Sequence, residues 1–68
     1  MSDIMITRML AMLDAEMKQV AGMISNESIW AYGSSTPQMH IDNIKELEEY
    51  QEVLLKLREQ VVEGELNV

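Results

Sequence analysis

Seven residues near the middle of the chain, Gly33-Ser34-Ser35-Thr36-Pro37-Gln38-Met39, separate two long amphipathic stretches of nearly equal length. Gly33 suits the left-handed position just past a helix end, because it has no Cβ to clash there. Ser35 and Gln38 have the spacing of a capping box. Pro37 fits a first helical turn, where its missing N–H has no intrahelical partner to lose. The pattern predicts an all-α fold: an antiparallel helical hairpin with helices over residues 3–32 and 36–63, forming one domain across 1–68.

On the first helix, a rotation of about 100° per residue places Ile6, Leu10, Leu13, Met17, Val20 and Ile24 on one strip. Met5, Met9, Met12, Met23 and Trp30 fall on a second strip beside it. On the second helix, Met39, Leu47, Tyr50, Leu54, Leu57 and Val61 make the expected main strip, with Ile44, Leu55 and Val62 left over. Ser2 or Asp3 can cap the first helix. Gly22, Ser25, Asn26 and Ser28 are poor helix formers, so a break before Tyr32 is the expected weak point.

This apolar surface exceeds what one seam can cover. A chain of 68 residues has only a marginal core of its own, and with no cysteine it has no disulfide to stiffen it. Each left-over side chain is worth about 1.5–3 kcal/mol when buried. Two hairpins pressed together as a four-helix bundle would cover both left-over strips, and a two-fold homodimer is the commonest closure.

Glu16 lies within the methionine strip, where a charge is costly unless it reaches water or meets a cation. It reads either as a rim residue or as half of an ion pair with a basic residue of a partner. The run of methionines reads either as core filler or as a flexible recognition surface. Trp30, beside the turn, either plugs the end of the bundle or anchors a partner.

The net charge is −7 and it is unevenly placed. From His40 onward, Asp42, Glu46, Glu48, Glu49, Glu52, Glu59, Glu63 and Glu65 oppose Lys45, Lys56 and Arg58. Such a chain repels nucleic-acid phosphates and anionic lipid and attracts basic proteins. No stretch approaches the ~20 apolar residues of a membrane span. The acidic start of the chain is unlike a signal peptide, so a cytoplasmic location is expected.

No catalytic constellation emerges. His40 is the single histidine and reads as a surface residue in a first helical turn. Glu48, Glu52, Glu59 and Glu63 form a stripe, but the interleaved Lys45 and Lys56 make it a solvated face rather than a metal site. Trp30-Ala31-Tyr32-Gly33 is one residue longer than the Trp-x-Gly turn of small secreted helical-hairpin proteins and does not match it.

The expectation is therefore a non-enzymatic protein-binding module without cofactor or metal: an adaptor, co-chaperone, regulatory subunit or inhibitor. Its interface would be Met5, Met9, Met12, Glu16, Met23, Trp30, Ile44, Leu55 and Val62. The alternative is a decoy whose acidic face, Glu48, Glu49, Glu52, Glu59 and Glu63, imitates nucleic acid and blocks a DNA- or RNA-binding protein. A decoy should lose affinity steeply with salt, and a methionine-strip binder should not.

Overall fold

Ser2 starts the first helix by accepting a hydrogen bond from the Met5 amide at 3.2 Å through its side-chain oxygen. In the computed structural model, which describes residues 2–64, this cap opens α1, Asp3–Gly33. A three-residue turn leads to α2, Pro37–Glu63. The two helices pack side by side as a hairpin, in a rod of 50 × 16 × 13 Å. The fold is thus one layer of two helices. Most side chains outside the seam are exposed, and those flanking it, such as Met9, Glu16 and Asn43, are half-buried.

α1 runs unbroken through the segment of poor helix formers. Ser28 hydrogen-bonds back to the Ile24 carbonyl at 2.9 Å, which satisfies its hydroxyl without ending the helix. Gly33 is the last helical residue and does not adopt a left-handed conformation. The chain leaves α1 instead through an extended Ser34, whose hydroxyl accepts from the Thr36 amide at 2.9 Å. The expected Ser35–Gln38 capping box is absent. Thr36 takes the N-cap position without a side-chain cap, and Gln38 bonds Asp42 one turn ahead. Ser34 and Thr36 bond each other across the turn instead. The left-handed glycine lies at the far end: Gly64, at φ 73°, closes α2 with its amide directed at the Gln60 and Val61 carbonyls.

The seam follows alternating steps of four and three residues, the antiparallel coiled-coil repeat. On α1 it contains Ile6, Leu10, Leu13, Met17, Val20, Ile24, Glu27 and Ala31. On α2 it contains His40, Ile44, Leu47, Gln51, Leu54, Arg58 and Val61. The α1 strip matches expectation. The α2 strip is rotated from it, because polar residues occupy seam positions that an apolar count passes over.

Those polar residues are held by specific bonds. Gln51 donates to the Met17 carbonyl at 3.1 Å, Arg58 Nε donates to Asp14 at 3.0 Å, and His40 meets Glu27 at 2.6 Å. Ile44 therefore lies in the seam, half-buried, rather than on an outer strip. Met39, Tyr50 and Leu57 move outward and are exposed.

Candidate functional site: a methionine–tyrosine face

Among the described residues only Val20, Leu54 and Val61 are buried hydrophobics. Met12 is 73% exposed and Trp30 56%, and Met5, Met23, Met39, Tyr50, Val53 and Leu57 are exposed as well. These eight share one side of the hairpin, while Ile4, Ile29, Tyr32, Ile41, Leu55 and Val62 are exposed on its other faces. Met9, Glu16, Met23 and Trp30 each directly precede a seam residue of α1, and Tyr50 and Leu57 each directly precede one of α2. In an antiparallel pair these positions flank the seam on the same side.

The surface follows that geometry. Met9, Met12, Leu13, Glu16, Tyr50 and Leu57 line an open groove of about 260 Å³. Met23, Glu27, Asn43, Glu46 and Leu47 line a second, and Tyr50 belongs to both. The two grooves meet at Tyr50 and together make a trough along this side of the rod. At its turn end the Trp30 ring tilts against His40, with centroids 6.3 Å apart. Beneath lies a polar cluster in which Glu27 accepts from His40 and, at 3.4 Å, from Asn43.

Of the residues singled out from sequence, Met5, Met9, Met12, Glu16, Met23 and Trp30 share this side of the hairpin. Leu55 and Val62 do not. They directly follow seam residues and flank the opposite side of α2, on the side where Asp14 meets Arg58. Glu48, Glu49, Glu52, Glu59 and Glu63 are exposed along the outside of α2. Tyr50 and Leu57, expected in the seam, line the trough instead; Met39, expected in the same strip, and Val53, which the sequence placed in no strip, are exposed on that side. The signal that could have placed them was the unbroken four-three spacing through His40, Ile44, Leu47, Gln51, Leu54, Arg58 and Val61.

Among the described residues no group of three or more His, Cys, Asp or Glu side chains could hold a metal ion, and no helix is long and apolar enough to cross a membrane. The trough is mainly apolar around Glu16 and Tyr50 and more polar in its second half, where Glu27, Asn43 and Glu46 join Met23 and Leu47. Compared with known proteins, the chain matches no family model, no curated protein and no solved structure.

Proposed function

We propose that this chain is a non-enzymatic protein-binding module that works through its methionine–tyrosine trough. The carrying observation is the continuity of exposed apolar side chains along one side of a one-layer rod, from Met5 and Met12 past Tyr50 to Trp30. Methionine conforms to irregular partners, and aromatics beside it supply rigid anchors. Scattered apolar residues need no explanation, but a contiguous trough of this kind marks an interaction surface.

In the absence of another protein, a second copy covers the trough and closes a four-helix bundle, whose core then holds the side chains that the lone hairpin leaves wet. Covering each of them is worth about 1.5–3 kcal/mol, enough in sum to hold a small helical protein together. The outer face of α2 gives the decoy reading less support, because Lys45 and Lys56 interrupt its carboxylates.

Met12→Glu tests the proposal. It places a charge in the trough at an exposed position, where the hairpin itself tolerates it. Loss of self-association with helicity retained supports the reading. An unchanged molar mass at every concentration removes the second copy from the trough.

A further inference from the structure

The charges bordering the trough have one sign. Glu16 lies half-buried in its wall and Glu46 borders its second half, and neither has a hydrogen-bond or ion-pair partner among the described residues. The chain's five cations stem from elsewhere. Lys18 and Lys45 lie on the opposite side of the hairpin, Arg8 and Lys56 on the helix backs, and Arg58 is engaged by Asp14. His40, at the turn end, is already held by Glu27. A second copy laid on this trough brings two more carboxylates and no cation to answer the first two.

The helix register sets the carboxylates' offset along the rod. Gln51 meets Met17 and Asn43 meets Glu27, so Glu46 stands level with Met23, beside which it lines the trough. Glu16 is seven residues from that level, about 10 Å at 1.5 Å per residue. That distance is two turns of an α-helix. A helix lying along the trough presents residues i and i+7 at the same axial interval, between Glu16 on the α1 wall and Glu46 on the α2 wall.

We infer that the preferred occupant of the trough is an amphipathic helix of another protein, with an apolar stripe against Met9, Met12, Met23 and Tyr50. Lys or Arg side chains one heptad apart on that helix meet Glu16 and Glu46. This rests on the protein-binding reading and deepens it: the self-associated form is the resting state, and the basic helix displaces the second copy. Glu16 and Glu46 thereby act with opposite sign on the two occupants, opposing self-association and favouring the partner.

The experiment uses the full chain and a synthetic, tryptophan-free helical peptide with a leucine stripe and two lysines seven residues apart. Its control carries glutamine at those two positions. The chain's single tryptophan, Trp30, reports binding by fluorescence, and sedimentation reports mass. The lysine peptide is expected to convert the self-associated chain to a one-to-one complex and to bind about tenfold more tightly than the glutamine peptide. The double variant Glu16→Gln, Glu46→Gln should erase that tenfold difference while tightening self-association.

Equal affinity of the two peptides for the unmodified chain overturns the charge inference and leaves the protein-binding reading standing. That comparison needs no altered protein. A self-associated chain that neither peptide disperses assigns the trough to the second copy and overturns the inference as well. If neither peptide binds and Met12→Glu leaves the mass unchanged, the protein-binding reading fails too.

Discussion

His40 Nδ1 lies 2.6 Å from Glu27 Oε2 across the turn end of the hairpin, with both side chains mostly shielded from water. A carboxylate can only accept, so the ring donates from Nδ1. The contact ties the last turns of α1 to the first turn of α2 and gives Trp30 a ring to pack against. His40→Ala leaves the shielded Glu27 carboxylate with only the longer bond from Asn43. The expected cost is about 1–2 kcal/mol in chemical unfolding. In a double-mutant cycle, Glu27→Ala and His40→Ala should be non-additive by about 1 kcal/mol. Strict additivity would mean that the pair is not coupled.

Gln51 occupies the middle of the seam, where its amide nitrogen reaches the Met17 carbonyl while its Oε1 atom is buried with no partner. A polar residue at such a position specifies register at a cost in stability. Gln51→Leu should raise unfolding stability by about 1 kcal/mol, measured by urea titration. Destabilisation by the same change would show that the Met17 bond contributes more than the orphaned oxygen costs.

The glycines should respond with opposite signs. A Cβ at Gly22 would meet nothing within 4 Å, and the residue lies inside α1. Gly22→Ala should therefore stabilise by about 0.8–1 kcal/mol, the helix-propensity difference. Gly64 has φ 73°, a conformation that costs an L-residue about 1–2 kcal/mol. Gly64→Ala should destabilise despite equally open surroundings. Thermal unfolding of the two variants distinguishes them.

Two exposed positions on α1 separate the trough from ordinary surface. Met12 lines the trough, whereas Ile29, 69% exposed, stems from the back of the helix. Met12→Glu should weaken self-association by at least about tenfold, the equivalent of burying one charge poorly. Ile29→Glu should leave it unchanged. Equal effects from both would mean that overall charge, rather than the trough, governs association.

The hairpin was legible in the sequence because Ser34 to Thr36 interrupt two stretches with sustained helical periodicity, and Ile6 through Ile24 define the α1 seam without ambiguity. The methionine strip was legible for the same reason. The α2 seam was not, because His40, Gln51 and Arg58 occupy inner positions by virtue of bonds to Glu27, Met17 and Asp14 on the other helix. Periodicity within one helix carries no trace of those partners. That Gly33 keeps out of the left-handed conformation was similarly hidden, because Ser34 and Thr36 satisfy the turn between themselves.

The most direct measurement is molar mass by light scattering over a dilution series, on the unmodified chain and on Met12→Glu. The unmodified chain should return twice its 7.8 kDa mass at high concentration and dissociate on dilution, with Met12→Glu monomeric throughout. A cooperatively folded species that stays at 7.8 kDa at every concentration, unaltered by the substitution, would contradict the assignment of the trough as an associating surface.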